Sequence, residues 1–487
     1  MRVYTRVPMV RGVVLLTWAV WVGAAASPGW AMPLFGRAGT YAVDGAPIGV
    51  RTGAFDAQAG TDLLTANEAG AEGPSLSLLF NRGQGSFFPE ERKSVNAAKY
   101  ILQAVASGDF DADGLDDVAV AVDDIAAFPI RASVLIYLHG ARGLATPVEY
   151  RLPGFFPRAI EAGDVTGDGV LDLVVGFAQS GGVGDGLVTT LAGLQEGGAG
   201  TGAFTVLETL EVGAAPSAVT LGDVDGDERT DALIADRDGG RVYVLYGTGV
   251  AAAPLAASIE LATATAPLTA LIDAVPGRAL PQVLIGTVNG GRLFTLVQTA
   301  PRVFAAPTEQ RIGLLPSAMA LADADGDGRD DLFVLSVLGA ELWTGAADGA
   351  FAFGESIVGD EDALDGLAIA DLNGDGALDL AASASTQDRV TVVLNGVDAP
   401  FTPSPTPSVT ATPTATPPGA ACPGDCNGDG QVSINELIQG VNIALGSAAV
   451  TTCTAFDRDG NGQVSVNELI AGVNSALSGC PLGAAAR

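Results

Sequence analysis

The stretch DFDADGLDDVAVAV, residues 109–122, decides how this chain is read. Asp109, Asp111 and Asp113 stand at alternate positions, Gly114 follows, and Asp117 opens an apolar run. Carboxylates this close repel one another unless a cation sits among them. Hard oxygen ligands at loop positions 1, 3, 5 and 9, a glycine at 6 and the carbonyl of residue 7 (here Leu115) suit Ca²⁺. A helix-flanked calcium loop would carry a glutamate at position 12. Val120 stands there instead, inside VAVAV, which reads as a strand. The stretch is therefore a calcium loop feeding a β-strand.

The same device recurs down the chain. Good copies are DVTGDGVLD from Asp164, DVDGDERTD from Asp223, DADGDGRDD from Asp323 and DLNGDGALD from Asp371. Two degenerate copies read as DAQAGTDLLTAN from Asp56, one residue short, and DAVPGRALPQVLIG from Asp273. Starts at 56, 109, 164, 223, 273, 323 and 371 make seven units, spaced 48–59 residues apart. Each unit has an apolar strand before the loop (AVTLGD, AMALAD, GLAIAD) and another after it (DLVVGF, DLFVLSV). A hairpin then adds two more, as in RVYVLYGTG and RVTVVLNG leading to segments such as GAFTVLETLEV or GAFAFGESIV. Four short strands per repeat of this length, without helices, predict a seven-bladed β-propeller over residues 32–400. A parallel β-helix would repeat at a much shorter interval. The seventh unit stops one strand short at VTVVLNG, and GRAGTYAVDGAPIGV (36–50) is expected to supply that strand and close the ring.

These repeats resemble FG-GAP/VCBS repeats, which also build the propeller of integrin alpha subunits. The resemblance implies calcium loops joining the first and second strands of each blade, with partners bound elsewhere on the propeller. Carried over residue by residue, it implies five ligand sets. They are Asp109, Asp111, Asp113, Leu115 and Asp117; Asp164, Thr166, Asp168, Val170 and Asp172; Asp223, Asp225, Asp227, Arg229 and Asp231; Asp323, Asp325, Asp327, Arg329 and Asp331; and Asp371, Asn373, Asp375, Ala377 and Asp379. In each set the seventh-position residue (Leu115, Val170, Arg229, Arg329 or Ala377) contributes its carbonyl. Thr166 is a neutral replacement, and Glu228 takes the place of the turn glycine, which weakens the third set. The units at 56 and 273 are expected to bind no metal.

Residues 1–31 read as a secretory signal, with Arg2, Arg6 and Arg11 before VVLLTWAVWVGAAA and cleavage after Ala26 or Ala31. Residues 401–421, FTPSPTPSVTATPTATPPGAA, form an uncharged spacer. An extended polyproline-like chain of this length reaches roughly 60 Å, and such Thr/Pro segments can carry O-glycans.

The remainder, 422–487, holds a second kind of calcium loop. DCNGDGQVSINE (425–436) and DRDGNGQVSVNE (457–468) fit the twelve-residue EF-hand pattern. Candidate ligands are Asp425, Asn427, Asp429, the Gln431 carbonyl, Ser433 and Glu436, then Asp457, Asp459, Asn461, the Gln463 carbonyl, Ser465 and Glu468. Helical patterns follow: Leu437, Ile438, Val441, Ala444, Leu445, and again Leu469, Ile470, Val473, Ala476, Leu477. All four cysteines (Cys422, Cys426, Cys453, Cys480) lie here. So small a module needs staples, and one disulfide clasping its two ends is expected, using Cys422 or Cys426. The module resembles a dockerin, which implies a cohesin-like partner. Ile434-Asn435 and Val466-Asn467, at the positions that read that partner, and the spacing from 425 to 457 depart from the cellulosomal pattern. Gly440 and Gly472 fall within the helices as exceptions to their usual helix-breaking effect.

Of 487 residues, 56 are acidic and 24 basic, a net charge of −32. Nucleic-acid binding needs a basic footprint and is excluded as an expectation. No run after the signal is long enough to span a bilayer. The only histidine, His139 in SVLIYLHGARG, reads as part of a blade hairpin. No nucleophile motif or phosphate loop stands out, and nothing in the spacing of Tyr137, Tyr150, Arg131 or Arg158 singles them out for catalysis. The reading is a secreted or cell-surface calcium-binding protein. Its propeller binds an extracellular protein or glycan, and its tail anchors or docks, to a cohesin-like partner or to itself. The alternative is a secreted polysaccharide lyase or hydrolase on the same scaffold.

Overall fold

The apolar run that follows each acidic loop becomes a strand buried on both faces. In VAVAV, Val118, Val120 and Val122 pack towards the preceding blade, while Ala119 and Ala121 pack towards the next. This period-two division makes one strand serve two interfaces at once. The computed structural model describes residues 35–58, 60–70, 73–88, 91–140, 143–178, 186–214, 216–263, 266–337, 339–358, 364–396, 425–426, 432–444, 450–456 and 464. It divides into two compact units, with the boundary between residues 400 and 401.

The first unit is a seven-bladed β-propeller. Blade 1 comprises Pro47–Gly53, Asp62–Asn67, Ser75–Leu79 and Glu91–Ser94; blade 2, Tyr100–Gly108, Asp117–Asp124, Arg131–Tyr137 and Val148–Arg151. Blade 3 comprises Phe155–Gly163, Asp172–Ala178, Gly186–Glu196 and Ala199–Glu211; blade 4, Pro216–Gly222, Asp231–Asp236, Arg241–Leu245 and Ile259–Thr263. Blade 5 comprises Pro267–Asp273, Gln282–Thr287, Arg292–Ala300 and Thr308–Arg311, with Val303–Phe304 as an added strand. Blade 6 comprises Ala318–Ala322, Asp331–Ser336, Gly339–Gly345 and Phe351–Val358. Blade 7 takes Gly366–Ala370, Asp379–Ala384 and Arg389–Asn395 from one end of the unit and Phe35–Ala42 from the other.

That last pairing is antiparallel, Phe35 against Asn395 and Ala42 against Arg389. The segment 36–50 thus closes the ring, but only its first half does so; Pro47–Gly53 is already the first strand of blade 1. The first strands touch in order around the ring and meet again between blades 7 and 1. Seven apolar clusters fill the seven gaps between neighbouring blades.

In the second unit the described helix is Ile434–Ala444. Ser433 and Glu436 cap it: Oε2 of Glu436 accepts from the Ser433 backbone N–H at 2.8 Å. That is one half of a capping box. The packed face is the expected one only in part: Leu437 packs on the apolar cluster of this unit as expected. Val441 and Ala444 are exposed, whereas Gly440 and Ile443 are buried. Phe456 explains the rotation, because a Cβ on Gly440 would stand 2.6 Å from its ring. Gly440 is therefore required for close packing. Cys426 is bonded to Cys453, so these two do not clasp the ends of the module. A terminal clasp would need Cys422 and Cys480, which lie outside the described residues. So do the signal at 1–31, the spacer and the second helix. No helix among the described residues is long and apolar enough to cross a membrane.

Candidate metal centres

Each acidic loop joins the first strand of a blade to the second, so all lie on one face of the ring. Counted from the first aspartate, the loops share a backbone scaffold. Oδ2 of residue 1 accepts from the N–H of residue 6 in all five: Asp109 from Gly114, Asp164 from Gly169, Asp223 from Glu228, Asp323 from Gly328 and Asp371 from Gly376, at 2.9–3.0 Å. Residue 5 accepts from the N–H of residue 7, so Leu115, Val170, Arg229, Arg329 and Ala377 are tied to Asp113, Asp168, Asp227, Asp327 and Asp375. Residues 4 and 6 both take a positive φ. Ala112 does so at 60° and Glu228 at 64°, where the other loops have glycine.

Residue 9 does a second job that its spacing does not reveal. Asp117, Asp172, Asp231, Asp331 and Asp379 are each fully buried. Oδ2 accepts from the N–H of residue 2 (Phe110, Val165, Val224, Ala324, Leu372) at 2.8–3.0 Å. Oδ1 accepts from the end of the third strand (His139, Gly193, Gly247, Gly345, Asn395) at 2.6–2.8 Å. Residue 2 is itself an apolar plug in the gap to the following blade. The carboxylate thus ties the loop, the third strand and the interblade core together. Burial is the chief cause pushing these groups up, Asp117 to about 7 and Asp231 and Asp379 to about 6.

Three loops gather carboxylate oxygens of residues 1, 3 and 9 within 4.8 Å of one another: Asp109, Asp111 and Asp117; Asp223, Asp225 and Asp231; Asp323, Asp325 and Asp331. The residues fit a hard divalent cation. Asp323 Oδ1 is buried without a hydrogen-bond partner, and an ion would satisfy it. In the other two loops position 3 is neutral. Thr166 there sits beside Asp164, and Asn373 donates to Asp375 at 2.9 Å. Position 5 is drawn elsewhere in several loops: Asp168 accepts from Gln195 at 2.9 Å, and Asp327 is paired with the Arg329 side chain.

The blade 4 loop holds a cation of its own. Arg302, on a turn of blade 5, donates from Nε to Asp225 Oδ2 at 2.5 Å and lies 3.7 Å from Asp227. Its guanidinium covers the Tyr246 ring at 4.1 Å, and Gln298 accepts its backbone N–H at 3.1 Å. This third loop is therefore weakened twice, by Glu228 at a left-handed position and by a tethered guanidinium.

The two degenerate units start elsewhere than their acidic residues suggest. In blade 1 Gly53 pairs with Asp62, as Gly108 pairs with Asp117. Ala54 is then residue 1, Asp56 is residue 3, and the loop has full length. In blade 5 Asp273 pairs with Gln282, so Ala274 is residue 1 and Asp273 precedes the loop. Asp62 keeps the residue 9 role, accepting from Phe55, Asp56 and Asn81 at 2.9, 3.1 and 2.7 Å. Gln282 replaces it in blade 5, donating to Asp273 and to the Gly349 carbonyl.

His139 is buried on the edge of blade 2, its ring meeting Phe55 edge-on. Tyr137 is enclosed, and the Tyr150 hydroxyl accepts from Phe204. In the C-terminal unit Glu436 is buried and engaged by Cys426 and Ser433. Asp425 is half-buried. Asn427, Asp429, Gln431, Asp457, Asp459, Asn461, Gln463, Ser465 and Glu468 lie outside the described residues.

Comparison with known families finds the FG-GAP-like repeat at residues 323–382 and 371–434, and the EF hand at 454–473. The first two matches each run from one acidic loop to the next, and the second reaches the loop at 425. The two loop types share enough of their opening positions to be aligned as one series. No curated protein matches the chain. Among solved structures, BBS1N crystallised with ARL6DN and soaked with lead is 14% identical with a TM-score of 0.50, covering 75% of this chain and 98% of that one. The same complex soaked with mercury is 15% identical with a TM-score of 0.46, covering 75% and 98%. An Agrocybe aegerita lectin recognising non-reducing terminal N-acetylglucosamine is 14% identical with a TM-score of 0.41, covering 71% and 85%. At such identities the first likeness bears on the fold alone. The chain carries FG-GAP-like repeats in a seven-bladed propeller, followed by an EF-hand element.

Proposed function

We propose that this is an exported, calcium-stabilised binding protein. The propeller presents a rigid platform to an extracellular protein or glycan, and the C-terminal calcium module docks or anchors it. The observation that carries this reading is the gathering of carboxylates 1, 3 and 9 in loops confined to one face. Cations there stitch the blades and leave the other face for a partner. The disulfide in the C-terminal unit suits an oxidising compartment.

Calcium titration of the full chain by calorimetry, with melting in calcium and in chelator, tests the metal part. Free calcium at 100 times the Kd of one site adds about 2.7 kcal/mol to stability. A melting temperature indifferent to calcium would overturn it. A polysaccharide screen for released reducing ends or unsaturated products tests the binding part. Turnover would replace the platform by an enzyme.

A further inference from the structure

The face away from the acidic loops carries a ring of equivalent residues. In blades 1, 2, 4 and 5 the pairing of first and second strands slips at one residue near the start of the first strand, and in blade 3 it slips at two, Phe156 and Arg158. The residues so placed, five before the end of each first strand, are Ile48, Gln103, Arg158, Ser217 and Leu268; Ser317 and Asp365 hold that place in blades 6 and 7. A bulge turns its residue out of the ladder and re-aims the side chain. Six of the seven are engaged. Ile48 and Leu268 pack on the core. Gln103 donates to Asp123 at 2.9 Å, Ser217 to the Ala235 carbonyl at 3.0 Å and Ser317 to the Leu364 carbonyl at 2.6 Å, while Asp365 accepts from Ser385 at 2.9 Å. Arg158 is exposed, and its guanidinium makes no hydrogen bond or contact ion pair among the described residues; the Asp123 carboxyl, pushed up by burial, is drawn partly back down by the Arg158 charge.

Arg158 opens into a cavity of about 340 Å³ that it shares with Gln103, Ser217, Arg237 and Asp238. Arg237, on the turn between the second and third strands of blade 4, is likewise exposed and without a partner for its guanidinium. Its backbone is fixed, because its N–H donates to the Ser217 hydroxyl at 3.3 Å. Two guanidiniums without a contact ion pair share one cavity in a chain of 24 basic and 56 acidic residues; Arg131 and Arg311 are also exposed without a partner among the described residues, but neither lines this cavity. Arg51, Arg92, Arg241, Arg292, Arg302 and Arg329 are all paired with carboxylates.

The lining defines the ligand. Every lining side chain carries a polar group, and polar surface outweighs apolar in the lining, so the cavity favours a polar ligand over an acyl chain. Two guanidinium forks match a planar carboxylate or a phosphate, and the singly charged carboxylate is the less opposed by the chain's acidity. Gln103, Ser217 and Asp238 supply acceptors for hydroxyl groups on the same small frame. The net charge of −32 opposes a densely anionic ligand. The volume lies at the small end of ligand sites. We propose that this cavity binds a uronic-acid residue of a glycan, its carboxylate held by Arg158 and Arg237. This names the ligand class of the platform proposed above and rests on that reading.

The test is calorimetry on the full chain in calcium. The probes are glucuronate- and galacturonate-terminated oligosaccharides, the matching neutral hexose oligosaccharides and an acidic hexapeptide. A uronate is expected to bind at least tenfold tighter than its neutral counterpart and than the peptide. Arg158→Gln and Arg237→Gln should each weaken it about tenfold or more, with melting moved by no more than about 1 °C, because neither makes a contact hydrogen bond or ion pair and Arg158 acts on Asp123 only through its charge. Equal binding of acidic and neutral sugars, preference for the peptide, no uronate binding, or affinity unmoved by both substitutions would each overturn the site. A protein or neutral glycan captured independently of both arginines would leave the platform standing and remove only this assignment.

Discussion

Asp62→Ala separates the structural carboxylate from the metal-binding ones. Asp62 occupies residue 9 of blade 1, where residue 1 is Ala54 and no cluster of three carboxylates forms among the described residues. Its loss strands the amides of Phe55 and Asn81, both buried donors now bonded at 2.9 and 2.7 Å. A stranded buried donor costs about 1–3 kcal/mol, so two cost about 2–6 kcal/mol. At roughly 2 °C per kcal/mol for a large domain, the melting temperature should fall by about 4–12 °C. The fall should be the same in calcium and in chelator. Asp325→Ala makes the contrast. Asp325 is exposed, its carboxylate accepts from the Asp327 N–H at 3.1 Å, and it belongs to the blade 6 cluster. Its loss should leave melting in chelator within about 1 °C while removing part of the calcium response. Differential scanning calorimetry of both variants in calcium and in chelator decides. If Asp62→Ala melts within a degree of wild type in chelator, or loses stability only when calcium is present, residue 9 has no structural role apart from the ion.

Burial pushes Asp62 up to about 6, well above its ordinary range. A raised carboxyl favours folding below its unfolded value near 4, and that contribution is lost as pH rises through 6. Asp62→Asn cannot ionise, so its stability relative to wild type should improve between pH 4 and pH 7; a flat difference in urea titrations would refute the cause. Arg302→Met frees Asp225 and Asp227, and calcium titration should reveal either one additional bound ion or a tighter existing site, whereas unchanged binding would mean that the guanidinium does not compete. Glu228→Gly relieves a left-handed residue at a cost of about 1–2 kcal/mol, partly offset by the entropy of glycine in the unfolded chain, so stability should rise by about 0.5–1 kcal/mol. Gly440→Ala should drive Phe456 off the helix Ile434–Ala444 and flatten the near-ultraviolet signal of that unit, with the propeller's melting unchanged.

The ring was legible because its physics is written twice, in charges at fixed spacing and in the apolar run after each loop. Even the strand shared between the ends could be read, from a seventh unit one strand short. Errors arose where one of those signals was missing. In blades 1 and 5 the surviving acidic residues, Asp56 and Asp273, drew the start of the loop to themselves. The register of Gly53 with Asp62 and of Asp273 with Gln282 places it at Ala54 and Ala274. Long-range partners left no local trace. Arg302 is 77 residues from Asp225. The helix face around Gly440 depends on Phe456, and no periodicity in Ile434–Ala444 announces it.

The degenerate blades also show what the ring requires. Blade 1 has alanine at residue 1, yet keeps Asp62 at residue 9 with three backbone amides on it. Blade 5 has lost both aspartates, yet Gln282 still reaches the Gly349 carbonyl across the gap to blade 6. A polar tie at residue 9 therefore persists where no carboxylate cluster remains. The carboxylate cluster that could hold a cation is an addition to that tie: it needs residues 1 and 3 beside a carboxylate the fold already positions. The opening stretch contains both layers, with Asp117 tied into the fold and Asp109 and Asp111 gathered beside it where a cation could be held.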